Sequence, residues 1–159
     1  MKRPNTCTNL IRAIKAIAAG TDEVRLSRSL ANVIVGQMLP DGVVKGGSSL
    51  MFRYGAAFTR YTRDVDTARV MEHEEYIAKL KESLAAGWNG FTADLVEVEP
   101  PEPKGVPCAY VMKPYDAKLK YLGRPWQTVR IEIGHNEIGD ADEYEESLPV
   151  ELAAAFEQL

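Results

Sequence analysis

Apolar residues recur at helical spacing over the first forty positions of this 159-residue chain. Asn5 or Thr6 is suited to cap a first helix, and Thr21 or Asp22 a second, because their short side chains accept hydrogen bonds from free backbone N–H groups. Pro40 stops the second helix, since proline cannot continue the helical hydrogen-bond pattern. The apolar faces of the two helices consist of Leu10, Ile11, Ile14, Ile17, Ala18, Leu26, Leu30, Val33, Ile34 and Met38.

From residue 43 onward the pattern changes to short apolar runs and alternation, which are typical of strands. Helices are predicted from Leu50 and over residues 71–86, and in the second of these Glu75 and Lys79 are spaced for an ion pair. Strands are predicted from Val43 and over residues 64–68, 91–99, 108–113, 117–122 and 128–134, with a turn over residues 121–126 and a last helix after Pro149.

A Gly-Gly-Ser turn, Gly46-Gly47-Ser48, lies between the first predicted strand and the helix from Leu50. The first N–H groups of a helix have no partner within the helix, so such a turn can present them to an anion. Ser48 is expected to cap the helix and to donate to a phosphate, because no His or Cys stands beside it to activate it as a nucleophile. The turn, with Lys45 before it, is therefore a candidate phosphate-binding site.

Two aspartates, Asp64 and Asp66, follow with one apolar residue between them. Residues two apart on a strand share a face, so both carboxylates are expected to point the same way. Like charges held side by side repel, and such a pair is usually retained where a cation lies between them. Together with the turn, the pair predicts a site for the phosphates of a nucleotide and for their magnesium.

This ordered set of residues resembles the signature of the AbiEii/AbiGii-type nucleotidyltransferase toxins, which belong to the DNA polymerase β-like superfamily. The likeness is strong over residues 43–66 and weaker over residues 115–140. The residues that carry it are Lys45-Gly46-Gly47-Ser48, Tyr54-Gly55, Arg60, Thr62 and Asp64-Val65-Asp66.

The resemblance implies an α+β fold with a polymerase β-like core, in which N-terminal helices pack against a mixed sheet. It implies one nucleotidyltransferase domain over residues 1–159. Residues 1–40 would form its helical N-terminal part and residues 41–147 its catalytic sheet core. Residues 148–159 would begin a C-terminal helical region, and we expect that region to be truncated here.

The resemblance also implies a magnesium-dependent enzyme that moves NMP from an NTP to an acceptor. In relatives the acceptor is often the 3′ end of tRNA, and a cognate antitoxin restrains the enzyme. Two magnesium ions would need at least three carboxylates. The family has its third acid on a later strand, where Glu132 stands in this chain; the family more often has Asp there, and the longer Glu side chain alters the ligation geometry.

Four basic residues are candidates for binding the triphosphate. The family has a basic residue on the strand before the third acid; Lys118 fits that position best, and Lys120 on the same strand face is a close second. Arg60 and Arg63 suit the β- and γ-phosphates, because guanidinium groups match phosphate oxygens. Arg63 has an alternative role as a local ion-pair partner of Asp64.

The net charge of −4 hides an asymmetry along the chain. Residues 1–69 contain 11 Lys and Arg against 5 Asp and Glu, whereas residues 70–159 contain 8 against 18. A basic part that includes the phosphate site suits a protein that handles nucleotides or RNA, although exposed basic residues also serve solubility. The lack of a long apolar run and the presence of only two cysteines predict a cytoplasmic protein without membrane association.

Two other functions are compatible with the sequence. One is a catalytically silent module that binds a nucleotide or another protein, which Glu132 and the short chain favour mildly. The other is a protein-nucleotidylating or kinase-like enzyme with the same phosphate site. Magnesium-dependent turnover would separate the silent module from the enzymes, and the labelled product would separate the enzymes from each other.

Overall fold

The computed structural model describes residues 3–19, 22–40, 42–54, 64–69, 71–99, 113–135 and 150–159. These residues form five helices and five strands. In chain order they are α1 (Cys7–Ile17), α2 (Glu23–Gly36), β1 (Gly42–Lys45), α3 (Gly46–Tyr54), β2 (Asp64–Arg69), α4 (His73–Ala86), β3 (Phe91–Glu97), β4 (Lys113–Tyr121), β5 (Arg124–His135) and α5 (Val150–Glu157).

The five strands form one mixed sheet in the order β1-β2-β5-β4-β3. Strand β2 runs antiparallel to β1 and parallel to β5, and β5, β4 and β3 are antiparallel neighbours. The parallel pairing brings β2 and β5 together although more than fifty residues separate them in the chain. The predicted α+β fold with a mixed sheet is confirmed.

One face of the sheet is apolar and belongs to the hydrophobic core. The alternation predicted for the last strand is confirmed, because Val129, Ile131 and Ile133 are all buried on this face. The helices add their apolar faces to the same core, since burial of apolar area is the main favourable term in folding. Core residues from the helices include Leu10, Ile14, Leu30, Ile34, Leu80, Leu84 and Leu152.

The two N-terminal helices begin where the sequence predicts. The Thr6 side chain accepts a hydrogen bond from the backbone N–H of Asn9 and so caps α1. Asp22 caps α2 by accepting from the N–H groups of Val24 and Arg25. Such caps satisfy helix donors that otherwise have no partner.

The hairpin that joins β4 to β5 is tighter than predicted. Its turn consists of Leu122 and Gly123, which have φ values of 48° and 76°, so Arg124 already belongs to β5. Two central residues with positive φ are enough for a hairpin whose twist matches that of its strands. Strand β4 also begins at Lys113, earlier than predicted, and most of the strand expected over residues 108–113 lies outside the described residues.

The last helix packs onto the domain. Leu152 and Ala155 of α5 are buried in the core, and the ring of Phe156 meets that of Trp88 edge-on with centroids 5.8 Å apart. On α4, the expected ion pair between Lys79 and Glu75 is present at 3.1 Å. Within the described part of the chain, no helix is long and apolar enough to cross a membrane.

Candidate active site

Three acidic side chains lie together on the second face of the sheet. The parallel register sets Asp66 beside Glu132 and Asp64 beside Arg130, and residues in register on adjacent strands share a face. Val65 and Ile131, which alternate with these residues, are fully buried on the opposite face. We call this second face of the sheet the charged face, and we call Asp64, Asp66 and Glu132 its acid end. The pairing of strands thus brings together all three acids that the sequence singles out.

The charges of the acid end influence one another. Burial raises the pKa of the Glu132 carboxyl, and the neighbouring carboxylates of Asp66 and Asp64 raise it further, while Arg130 lowers it. A like charge nearby disfavours ionisation because each carboxylate raises the energy of the next. A cation between the carboxylates would reverse this effect.

The donor set of the acid end suits magnesium, which prefers carboxylate oxygens and retains several waters. Among the described residues, no three Asp, Glu, His or Cys side chains converge closely enough to hold a metal ion. Strand register and electrostatic coupling nevertheless place these three carboxylates side by side. Binding would therefore require their side chains to turn toward a common ion, without a change in the sheet. Asp64, Asp66 and Glu132 are the residues that would hold it.

Gly46 lies directly against the acid end. Its φ of 61° is a conformation that glycine adopts without strain, and a Cβ atom at this position would overlap the carboxylate of Asp66. The antiparallel register also places Lys45 opposite Asp66 on the adjacent strand. The Gly-Gly-Ser turn and the acid end are thus parts of one site.

The prediction that α3 begins near Leu50 is wrong, because the helix begins at Gly46. The left-handed backbone of Gly46 turns the chain at once from β1 into the helix, so no further turn residues are needed. Leu50 is consequently half exposed, whereas Met51 is buried.

Ser48 connects α3 to β2. It is fully buried, and its hydroxyl donates a hydrogen bond to the backbone carbonyl of Asp64 at 2.5 Å. This bond fixes the start of β2 and thereby positions the Asp64 carboxylate. The prediction that Ser48 caps the helix is wrong, because Ser48 lies within α3 and its hydroxyl donates to β2. The expected donation from Ser48 to a phosphate stays a prediction.

The two candidate lysines lie farther along the same face. Register places Pro114 beside Glu132 and Lys118 beside Thr128, so Lys118 is four residues, or roughly 13 Å, from the level of Glu132. Lys120 lies farther still and pairs with Asp94 at 2.5 Å. We call Lys118, Lys120 and Asp94 the lysine end. A triphosphate would have to extend along the strand to reach it.

An ion pair and a cavity separate the two ends, and the sequence patterns predict neither. The guanidinium of Arg130 donates to the carboxylate of Asp116 at 2.7 Å. Beside this pair is a cavity of about 410 Å³ between α2 and strands β2, β4 and β5. Residues that line it include Arg28, Asn32, Asp64, Asp116, Thr128 and Arg130.

A signal for part of this cavity is present in the sequence. Asn32 is an isolated polar residue in the apolar run of residues 30–35, and it is buried. Arg130 alternates with Glu132 on the polar side of an otherwise apolar strand. The remaining two candidate phosphate-binding residues, Arg60 and Arg63, lie outside the described residues.

Solved structures to which this chain is similar include two that are described as nucleotidyltransferases. One is a protein from H. pylori whose crystal structure is described as that of a nucleotidyltransferase; it is 15% identical, with a TM-score of 0.46 over 79% of this chain and 51% of that one. The other is the nucleotidyltransferase toxin MenT4 of Mycobacterium tuberculosis H37Rv, which is 16% identical, with a TM-score of 0.47 over 78% of this chain and 43% of that one. The chain thus spans about half the length of each.

Comparison with curated proteins found no match. The family model described as "Nucleotidyl transferase AbiEii toxin, Type IV TA system" matches residues 26–157. This range contains β1, the Gly-Gly-Ser turn, the acid end and the lysine end, and the resemblance carried by residues 43–66 is confirmed. The chain belongs to the AbiEii family of nucleotidyltransferase toxins of type IV toxin–antitoxin systems.

Proposed function

We propose that this protein is a magnesium-dependent nucleotidyltransferase toxin that moves NMP from an NTP to an RNA acceptor such as the 3′ end of tRNA. The observation that carries the proposal is the acid end, where Asp64, Asp66 and Glu132 share one sheet face next to Gly46. A cognate antitoxin restrains the enzyme, and the cytoplasm supplies its NTP and RNA. Membership of the AbiEii family of type IV toxin–antitoxin systems supports the nucleotidyl transfer and the antitoxin.

The residues of the site divide into two groups by role. The acid end would hold magnesium. When bound, the ion would act as a Lewis acid and stabilise the negative charge that develops on the phosphoryl oxygens. The backbone N–H groups of Gly46 and Gly47, with the ammonium of Lys45, bind phosphate at the start of α3. Farther along the face, Lys118 and then Lys120 are assigned to the far end of the triphosphate, together with Arg60 and Arg63.

The reaction joins the acceptor to the α-phosphorus of the NTP. A hydroxyl oxygen of the acceptor forms a bond to that phosphorus, the bond to the bridging oxygen breaks, and pyrophosphate leaves while the hydroxyl proton is released. The protein contributes by holding the two reactants in line, and orientation of this kind removes a large part of the barrier. Residues 1–69, with 11 basic against 5 acidic side chains, favour an anionic acceptor.

The direct test incubates the protein with each α-labelled NTP, total RNA and magnesium. Label in RNA that depends on magnesium and is lost in Asp66→Asn is the expected result. Label in protein instead of RNA would favour a protein-nucleotidylating enzyme. Label in neither, from a protein that nonetheless binds NTP, would contradict transferase activity.

A silent nucleotide-binding module is the second candidate function. One observation favours it: the third acid is Glu132, where the family more often has Asp. Such a module would bind NTP and magnesium without releasing pyrophosphate. A pyrophosphate-release assay with RNA present therefore distinguishes the two functions.

A further inference from the structure

Arg130 lies between acidic residues on both neighbouring strands of the charged face. Register places it beside Asp64 of β2 on one side and beside Asp116 of β4 on the other. Neighbouring strands are only about 5 Å apart, so both carboxylates are within reach of the long arginine side chain. Glu132 follows two residues later on the same strand and therefore on the same face. The carboxylate with which Arg130 pairs decides how much positive charge reaches the acid end.

The structure shows which carboxylate Arg130 selects. Its Nε donates to Oδ1 of Asp116 at 2.7 Å, and the two groups form an ion pair. The side chain of Arg130 is 38% exposed and that of Asp116 is 24% exposed, so water reaches both. Ion pairs of this kind add little to the stability of a fold, because solvent screens their charges. The main consequence of the pair is therefore the place in which it holds the guanidinium.

The guanidinium affects the acid end even from this place. Burial raises the pKa of the Glu132 carboxyl, and Asp66 and Asp64 raise it further. Arg130 acts in the opposite direction and lowers that pKa. If the guanidinium turned from Asp116 toward the acid end, it would come closer still. It would then neutralise carboxylate charge that a divalent cation needs, and it would also repel the cation directly.

We propose that Asp116 is a positioning residue that holds Arg130 away from Asp64 and Glu132, and so keeps the acid end available to its metal ion. The assignment rests on the proposed nucleotidyltransferase function and adds to it a residue that acts on the metal site through another side chain. Because Asp116 acts through Arg130, its effect on metal binding should vanish when the guanidinium is removed. An ordinary cross-strand ion pair would change stability without changing metal affinity.

The experiment titrates Mn²⁺, which carboxylate sites bind as they bind Mg²⁺, into the full chain and measures its affinity by electron paramagnetic resonance. Asp116→Ala removes the acceptor of the Arg130 hydrogen bond and releases the guanidinium toward the acid end. Its affinity for Mn²⁺ should fall by about tenfold, the scale expected when a unit charge moves to within a few ångströms of the ion. Arg130→Gln should bind Mn²⁺ at least as tightly as the wild type.

The double variant separates positioning from simple charge. Asp116→Ala combined with Arg130→Gln should bind Mn²⁺ as tightly as Arg130→Gln alone, because no guanidinium is left to reposition. A carboxylate that acted only through its own negative charge would instead weaken binding equally with and without Arg130. The control Glu75→Ala removes the carboxylate of the ion pair with Lys79 on α4 and should leave Mn²⁺ affinity unchanged.

A second substitution keeps the test decisive if Asp116→Ala misfolds. Asp116→Asn preserves the shape of the side chain and an oxygen that accepts from Arg130, but it removes the charge that holds the guanidinium. It should therefore weaken Mn²⁺ binding in the same direction by a smaller factor, and only when Arg130 is present.

Two results would overturn the assignment while the proposed function stands. One is unchanged Mn²⁺ affinity in the Asp116 variants, and the other is an equal loss with and without Arg130. A wild-type protein that does not bind Mn²⁺ would instead contradict the proposed metal site itself.

Discussion

The two ends of the charged face of the sheet differ in how their charges are arranged: opposite charges are paired at one end, and like charges are grouped at the other. At the lysine end, Lys120 pairs with Asp94, and Lys118 stands beside Asp94 in the register of β3 and β4. At the acid end, three carboxylates share a face, and the pKa of Glu132 is raised by burial and further by Asp66 and Asp64. Alternating charges are what a sheet surface needs for cross-strand stability, whereas grouped like charges destabilise it. The acid end is therefore best explained by the cation it is proposed to bind.

The largest effect is expected from Asp66→Asn. Removal of this carboxylate should lower the transfer rate by about 10³-fold or more, since metal stabilisation of the transition state amounts to several kcal/mol. The metal-free fold should survive and gain stability, because repulsion with Glu132 is relieved.

The matched control is Asp94→Asn at the lysine end, which makes the same change on the same face. It breaks an exposed ion pair worth at most about 1 kcal/mol and should leave the transfer rate nearly unchanged. Equal losses in the two variants, measured as magnesium-dependent label transfer, would remove the distinction between the ends.

Gly46→Ala should have the next largest effect. The positive φ alone costs on the order of 1–3 kcal/mol for a residue with a side chain, and the added methyl also displaces the Asp66 carboxylate. We expect a loss of both unfolding free energy and activity.

Gly123→Ala separates these two causes, because Gly123 has a φ of 76° but no atom within 4 Å of an added Cβ. It should lose stability without losing activity, as measured by denaturant unfolding and the transfer assay. Full activity in Gly46→Ala would show that the turn does not position Asp66.

Lys118→Ala tests whether the lysine end takes part in triphosphate binding. A charge-assisted hydrogen bond contributes about 1.5–3 kcal/mol, so NTP affinity should fall by about 10-fold to 150-fold. Lys120→Ala should have a smaller effect, because that ammonium is already paired with Asp94. The reverse ranking in calorimetry would transfer the role to Lys120, and no effect in either variant would exclude both lysines from the site.

The smallest effect concerns pH and Glu132. Its folded-state pKa is raised, by burial first and then by Asp66 and Asp64, and Arg130 opposes the shift. The raised pKa contributes stability to the metal-free protein that is fully present below the unfolded pKa and is lost as pH rises through the folded value. Glu132→Gln should remove this part of the pH dependence of thermal unfolding in EDTA. An unchanged pH profile would show that neither burial nor the neighbouring carboxylates shift the pKa of Glu132.

The sequence predicted the acid end because its determinants are local or carried by the family signature. Asp64 and Asp66 share a face by the two-residue period of a strand, and Glu132 follows from the resemblance. The register that sets Glu132 beside Asp66 is a long-range pairing, which periodicity cannot reveal.

Three features could not be predicted from the sequence, because they depend on single backbone angles or on tertiary packing. The start of α3 was misplaced because the positive φ of Gly46 lets the helix begin four residues earlier. The hairpin turn was predicted too long because the positive φ of Leu122, a residue with no turn preference, was not anticipated. The cavity was missed because Asn32 on α2 meets β5 only through packing.

The most direct test of the metal assignment is a titration with Mn²⁺, which carboxylate sites accept in place of Mg²⁺ and which is detected by electron paramagnetic resonance. The wild-type protein and Asp94→Asn should bind Mn²⁺ with the same affinity, and Asp66→Asn should lose that binding. Mg²⁺ should displace the bound Mn²⁺ competitively. Identical Mn²⁺ binding by all three proteins would contradict the proposal that the grouped carboxylates of the acid end form the metal site.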